Sequence, residues 1–156
     1  MLDIFYKNND LVIVDSNKKE IRFDYENNKM QLDGYDVTFP WEYEKSAILL
    51  EVKEYNNSLF YNFLIDWKHL VIIPDDSFEI KEDILEFFGD VDILIIKWSA
   101  ASAKIFENIE SKIVIPYGEA KDIFLNTLWQ HIEELDSYKQ KGELPIDNTE
   151  FVNLWL

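Results

Sequence analysis

Short segments in which apolar and polar residues alternate dominate the first 65 residues, and this period of two is typical of half-buried strands. Turns rich in Asn, Asp and Lys separate the segments, and Asn and Asp favour turns because they bond to nearby backbone and tolerate left-handed conformations. We therefore predict an antiparallel meander, then a break at residues 40–44, then a hairpin that turns at residues 55–58. The predicted strands are residues 2–6, 11–15, 21–25, 30–32, 35–39, 46–54 and 59–65.

The pattern changes after residue 65, where longer apolar runs alternate with segments that have helical spacing. We predict strands at residues 70–74, 91–96 and 112–116 and helices at 79–88 and 100–109, the first of them ended by Gly89. A longer helix is predicted over residues 119–138, and a last strand over 151–155. This alternation predicts an α/β fold. We expect one domain over residues 1–156, antiparallel up to residue 65 and alternating between strand and helix from 66 to 156.

Composition narrows the classes of function. The formal net charge is −16 and Arg22 is the only arginine, which argues against binding to nucleic-acid phosphates or to anionic membranes. The chain has no cysteine, so it can form neither a disulfide nor a thiolate metal site. No signal peptide or long apolar run is visible, and we expect a cytoplasmic protein. The acidity is that of a soluble surface, a binding face for a basic partner, or a mimic of nucleic acid.

Candidate catalytic residues are few. His69 and His131 are far apart in sequence and lack the close spacing of metal-ligand pairs, and no glycine-rich nucleotide loop or serine nucleophile motif is present. Asp75 and Asp76 follow a predicted buried strand at its carboxyl end, where α/β proteins place their sites. These two carboxylates can hold Mg²⁺ or Ca²⁺. Alternatively, they cap the predicted helix that follows.

Tryptophan is unusually frequent, with five residues in the chain. Trp41 and Trp98 fall at turn or strand-end positions, where an indole can be partly exposed. Packing in the core is the commoner role of tryptophan, but the residue is also enriched at protein interfaces.

Four segments together resemble a known family. They are Pro40-Trp-Glu-Tyr-Glu44, Phe88-Gly-Asp-Val-Asp-Ile-Leu-Ile-Ile96, Lys112-Ile-Val-Ile-Pro116 and the tail that begins Glu143-Leu-Pro145. In this order they resemble the metallo-β-lactamase fold, in particular its UlaG-like branch of metal-dependent hydrolases. That family binds metal through a His-x-His-x-Asp-His cluster, further histidines and a bridging aspartate. The cluster is absent here, and Tyr117-Gly118 stands where the family has Met-His after Ile-Pro. The resemblance implies that Asp75 is the remnant of the bridging carboxylate.

The resemblance implies an αββα sandwich, shortened in its N-terminal half, that has lost its metal ligands. We therefore predict a pseudoenzyme without catalytic residues, metal or cofactor, which serves as an interaction or structural module and forms a homo-oligomer or binds a protein partner. An alternative hypothesis is an Mg²⁺- or Mn²⁺-dependent phosphoester hydrolase at Asp75 and Asp76, and a weaker one is an acidic mimic of nucleic acid. The predicted interaction patch comprises Trp41, Glu42, Tyr43, Asp75, Asp76, Trp98 and Tyr117.

Overall fold

The structure is a computed structural model that describes residues 1–75, 79–97, 102–118, 133–146 and 148–154. The described residues form two large β-sheets packed face to face, a small two-stranded sheet and two short helices.

The first sheet has six strands in the order β13-β1-β2-β3-β4-β5, and every neighbouring pair is antiparallel. Its β1–β2 turn has Asn8 and Asn9 at φ 52° and 66°. A tight hairpin whose two central residues both have positive φ matches the twist of its strands, and asparagine tolerates that conformation. The predicted meander is thereby confirmed. The strands are β1 (Leu2–Lys7), β2 (Asp10–Val14), β3 (Glu20–Asp24), β4 (Lys29–Leu32), β5 (Tyr35–Val37) and β13 (Ser137–Gln140).

The second sheet has seven strands in the order β14-β11-β10-β9-β8-β7-β6. It is antiparallel from β6 to β9 and parallel from β9 to β14. The parallel part contains the predicted strand–helix–strand–helix–strand unit. The elements are β6 (Glu42–Lys45), β7 (Ile48–Tyr55), β8 (Ser58–Ile65), β9 (Lys68–Ile73), α1 (Glu82–Phe88), β10 (Val91–Lys97), α2 (Ser102–Asn108), β11 (Ser111–Tyr117) and β14 (Glu150–Phe151). Beside them, β12 (Glu134–Leu135) pairs in parallel with β15 (Asn153–Leu154).

Two hydrophobic clusters hold these layers together. The larger one lies between the sheets and joins side chains such as Ile4 and Phe23 of the first sheet to Phe63 and Ile93 of the second. The smaller one lies on the outer face of the second sheet, where α1 and α2 cover β9, β10 and β11. The predicted end of the first helix is confirmed, since Gly89 has φ 59° and its N–H donates to the Leu85 carbonyl.

The prediction of an α/β fold is wrong. Fifteen strands but only two seven-residue helices occur in the described part of the chain, so the protein is mostly β. Both described helices pack on one face of the second sheet, whereas an αββα sandwich carries helices on both outer faces. The local pattern that suggested α/β is present between residues 68 and 117, but β8, β7 and β6 extend that sheet as antiparallel strands, and the first sheet is wholly antiparallel.

Three local predictions also fail. Residues 42–45 form strand β6 and not a break, because β7 supplies a hydrogen-bonding partner. Residues 134–135 and 137–140 are strands and not the end of a long helix, because they pair with β15 and β1; residues 119–132 of that predicted helix lie outside the described part. The last predicted strand is divided between β14 and β15. None of the described helices is long and apolar enough to span a membrane.

Candidate functional site

The carboxyl ends of the parallel strands form one edge of the sandwich, which we call the carboxyl edge. In-register pairing aligns Ile73 of β9 with Ile96 of β10 and Pro116 of β11, so that the three strands end at the same level. Asp75 follows β9 and accepts a hydrogen bond of 3.1 Å from the Ser58 hydroxyl at the start of β8. Sites in folds with parallel strands usually lie at such an edge.

Tyrosine side chains pack together at the carboxyl edge. The rings of Tyr25 and Tyr117 are 5.7 Å apart, as are those of Tyr6 and Tyr25. Phe23 contacts both Tyr117 and Tyr61, with ring centroids at 6.0 and 5.9 Å. These pairs all meet edge to face, the arrangement that aromatic quadrupoles favour. We call this set of five residues the tyrosine cluster.

The pKa values of three phenols in the cluster, those of Tyr6, Tyr25 and Tyr61, lie above the ordinary value. Burial raises the pKa of Tyr6, and the nearby Tyr25 raises it further. Burial also raises the pKa of Tyr61 and, with the charges of Glu26, Asp24 and Asp10, that of Tyr25. The Tyr61 hydroxyl donates to the Asn28 side-chain oxygen at 2.9 Å. Such phenols are poor metal ligands at neutral pH, because a ligand must be deprotonated to bind.

The described residues do not fit a zinc-type centre. A catalytic zinc site takes three protein ligands, usually His, Asp or Glu, around one point. Within the described ranges, no group of three or more His, Asp or Glu side chains could hold a metal. His69 is exposed at the opposite, amino end of β9, where its backbone N–H donates to Asp92. Aromatic rings occupy the carboxyl edge, and no metal-dependent step follows from these residues.

The capping role considered for the Asp75–Asp76 turn is not what the structure shows. Helix α1 begins at Glu82, its N-cap is Lys81, and no side chain caps it. Glu82 and Asp83 supply the negative charge that favours the first turn of the helix. Asp75 instead bonds to Ser58, which belongs to the neighbouring strand. Asp76 lies outside the described residues.

The structure separates the residues of the predicted interaction patch. Trp41, Glu42 and Tyr43 lie at or beside β6, the last strand of the second sheet, whereas Asp75 follows β9, three strands away. Tyr117 is 1% exposed and belongs to the core, so it cannot offer its side chain to a partner at this surface. Trp98, like Asp76, falls outside the described part of the chain.

Three exposed aromatic residues were not singled out by sequence reasoning. Tyr35 and Phe39 precede Trp41, which is 73% exposed, and both contact Tyr43. The Tyr43 hydroxyl donates to the Phe39 carbonyl, and the rings of Tyr35 and Tyr43 are 6.1 Å apart. Trp67 is 94% exposed in the β8–β9 turn at φ 63°. The exposure of Trp67 could have been predicted from the sequence, because it occupies a turn position where Asn or Gly is expected.

Comparisons with known proteins identify a solved structure with a similar fold. No protein-family model matches the chain, and no curated protein matches it significantly. A crystal structure from Thermotoga maritima matches it with a TM-score of 0.76 and 12% identity, and the alignment covers 99% of each chain. That protein is described as a candidate Zn-dependent hydrolase of the metallo-β-lactamase superfamily.

The full coverage corrects one further prediction. Since the alignment spans 99% of the Thermotoga chain, the N-terminal half is not shortened relative to that structure. The first sheet of six strands supplies the layer that the sequence interpretation took to be partly missing. At 12% identity the likeness concerns the fold and not the chemistry. The chain therefore shares the overall fold of that Thermotoga structure, with strands as its main component.

Proposed function

We propose that this protein is a non-catalytic domain with a metallo-β-lactamase-like fold that acts by binding another protein. The tyrosine cluster carries the proposal, because neutral aromatic rings occupy the edge where a hydrolase of this fold would need converging metal ligands. The segments that resemble the UlaG-like branch support a relation to it in which the ligands have been replaced.

The carboxylate that the described residues place at this edge, that of Asp75, does not favour the hydrolase alternative. Asp75 is partly buried and accepts a hydrogen bond from Ser58, so part of its binding capacity is already used. A Mg²⁺ site usually combines one or two carboxylates with phosphate oxygens of the substrate and several waters. Asp75 on its own offers one such group. The hydrolase at Asp75 and Asp76 and the mimic of nucleic acid both stay predictions.

An exposed aromatic surface supports the binding role. Tyr35, Phe39 and Trp41 are all more than half exposed; Tyr35 begins β5, and the other two lie in the connection from β5 to β6. Exposed large apolar side chains concentrated in one segment are typical of interaction sites, and Trp and Tyr are the residue types that dominate binding energies at interfaces.

A metal titration tests the non-catalytic half of the proposal. Thermal unfolding is followed with and without Zn²⁺, Mn²⁺ and Mg²⁺, and native mass spectrometry reports bound metal and oligomeric state. We expect no shift in melting temperature and no stoichiometric metal. A ligand that binds only the folded state at 100 times its Kd would stabilise by about 2.7 kcal/mol, which this measurement detects easily.

The outcome that contradicts the proposal is a metal-dependent rise in melting temperature that Asp75→Asn abolishes. Asp136→Asn, which changes an exposed carboxylate in the bend between β12 and β13, is the matched control. A shift lost in Asp75→Asn and kept in Asp136→Asn would support the hydrolase alternative. The same mass spectra test the predicted homo-oligomer. That prediction was first based on a shortened N-terminal half, which the structure does not support.

A further inference from the structure

Strand β6 presents an open edge of the second sheet. In the part of the chain that the structure describes, β6 pairs with β7 on one side and with no strand on the other. The Val52 N–H donates to the Trp41 carbonyl at 2.9 Å, so Trp41 and Val52 form a hydrogen-bonded pair. Hydrogen-bonded and non-hydrogen-bonded pairs alternate along an antiparallel ladder. The backbone groups of Glu42 and Glu44 therefore point away from β7, toward the open edge.

The side chains beside this edge are acidic and face the same way. Glu42 is paired with Glu51 of β7, and Glu44 with Leu49, so that all four side chains lie on one face of the sheet. Ile48 and Leu50 alternate with them and are buried in the core, which places the acids on the outer face. Glu42, Glu44 and Glu51 are exposed.

A groove continues from the edge across this outer face. Its volume is about 510 Å³, and Leu49 and Leu64, which are cross-strand neighbours, lie on its floor. Glu44 and His69 stand at its two sides. Helices α1 and α2 leave this part of the face uncovered, since the apolar cluster beneath them contains neither leucine.

We propose that the edge of β6 and this groove bind an extended basic segment of another protein, which adds to the second sheet as an antiparallel strand. In an antiparallel addition, the residues opposite Glu42 and Glu44 exchange backbone hydrogen bonds with them and project their side chains over the same face. Arginine or lysine at those positions meets three carboxylates. The inference rests on the proposed binding function and names the class of partner.

Charge selects this occupant over a second copy of the chain. If two β6 strands paired around a two-fold axis, the glutamates of one copy would face those of the other, and like charges opposite one another are destabilising. The overall net charge of −16 adds repulsion between copies and attracts a basic partner over a longer range. Acidic side chains on an open edge thus discourage self-pairing and leave it accessible to a basic strand.

A designed peptide tests the proposal. The probe is a fluorescein-labelled nine-residue peptide that alternates arginine with valine or threonine, and binding is followed by fluorescence polarisation at low salt. A peptide with glutamate in place of arginine is the control for charge. We expect binding of the basic peptide only, and binding that weakens as salt is added.

Protein variants locate the site. Glu42→Lys combined with Glu44→Lys should weaken binding about tenfold or more, since attraction at two positions becomes repulsion. Glu107→Lys combined with Glu110→Lys makes the same change in net charge at exposed positions in and just after α2, and should have a much smaller effect. Equal losses in the two double variants would overturn the proposal, because they would show attraction to the overall charge alone.

N-methylation of the peptide separates strand addition from simple charge attraction. Methylation of the backbone amide nitrogens of the arginine residues removes the N–H groups that face β6 in an antiparallel addition. Methylation of the backbone amides of the intervening residues leaves those N–H groups in place. Loss of binding with the first peptide and retention with the second supports the proposal; similar behaviour of the two overturns it. If no basic peptide binds while the metal titration shows no metal, the basic-strand inference fails and the non-catalytic function stands.

Discussion

At the residue scale, the tight turns differ in backbone strain, because only some of them have residues that tolerate a positive φ. Two-residue turns with both central φ values positive occur at Asn8–Asn9 and Asn56–Asn57, where asparagine makes the conformation inexpensive. The same conformation occurs at Ser46–Ala47 and Asp66–Trp67. Trp67 is the extreme case, since a bulky residue adopts a positive φ while its side chain is almost fully exposed. Strain that packing does not explain points to a functional role.

We predict that Trp67→Gly stabilises the protein by about 0.5 to 1 kcal/mol, because relief of left-handed strain exceeds the extra entropy that glycine loses on folding. Urea unfolding measures the change. The control is Asn57→Gly, at the equivalent position of the β7–β8 turn, where the gain should be only a few tenths of a kcal/mol because asparagine already tolerates the conformation. A clear loss of stability in Trp67→Gly would mean that the indole makes stabilising contacts.

Asp66 links the β8–β9 turn to the turn after β2. Its carboxylate accepts hydrogen bonds from the Ser16 N–H at 3.0 Å and from the Ser16 hydroxyl at 2.6 Å. Partial burial acts to raise the pKa of Asp66, but the bonds from Ser16 and the Met1 ammonium outweigh it and hold the pKa below its ordinary value. Stability from this group is therefore complete above the unfolded pKa of about 3.9 and is lost as the pH falls through the lower folded pKa.

We predict that Asp66→Asn costs about 1 to 2 kcal/mol at pH 7, because the bonds that favour the charged form are weakened. The difference from wild type should shrink below pH of about 4, where the wild-type carboxyl also takes up a proton. Urea unfolding at pH 7, 5 and 3 measures it, with Asp136→Asn as the control. A difference that does not vary with pH would show that the charge of Asp66 plays no part.

At the element scale, α1 illustrates an ending encoded by one residue. Gly89 has φ 59° and ψ −145°, a combination essentially restricted to glycine, and its N–H closes the helix on Leu85. A Cβ at this position would meet only the Glu86 carbonyl oxygen, at 3.9 Å, which is ordinary contact. Any cost of a side chain here is therefore a backbone cost.

We predict that Gly89→Ala destabilises the protein by about 1 to 3 kcal/mol through backbone strain. Chemical denaturation measures the change in the free energy of unfolding, and Glu86→Ala, an exposed substitution in the same helix, is the control and should change it by less than about 0.5 kcal/mol. An unchanged stability in Gly89→Ala would show that the end of α1 relaxes without cost.

At the scale of the whole molecule, net charge dominates. The net charge is −16, and ion pairs within the described ranges join side chains that are exposed or only partly buried, so attraction between opposite charges offsets little of the repulsion. Self-repulsion of this kind destabilises the compact state, and salt screens it.

We predict that the melting temperature rises when NaCl increases from about 10 to about 100 mM, as the screening length falls from about 30 to about 10 Å. KCl at the same ionic strength should act alike. Glu107→Lys combined with Glu110→Lys reduces the net negative charge and should reduce the salt sensitivity. A melting temperature that falls with salt would mean that the ion pairs outweigh the repulsion.

Much of the fold was predictable because the signals are local. Asparagine-rich turns and alternating residues predicted β1 to β4. Apolar runs, with a helix between them that ends at Gly89, predicted the parallel unit from β9 to β11. The failures concern partners that are distant in sequence. Residues 137–138 end the segment predicted as a helix, but they belong to β13, whose hydrogen bonds β1 supplies. Strand formation depends on such context more than helix formation does.

The candidate site shows the same division. The lack of a His-x-His-x-Asp-His motif, the acidity and the tight turns follow from the residues themselves, because they depend on side-chain chemistry and on neighbours in sequence. The meeting of Tyr6, Tyr25, Tyr61 and Tyr117 was decided only by the tertiary structure, as was the open edge of β6 beside its groove. The physical reason is that both features depend on partners outside the local segment. Packing of the two sheets brings the tyrosines together across up to about a hundred residues, and strand pairing within the second sheet sets the edge and the groove.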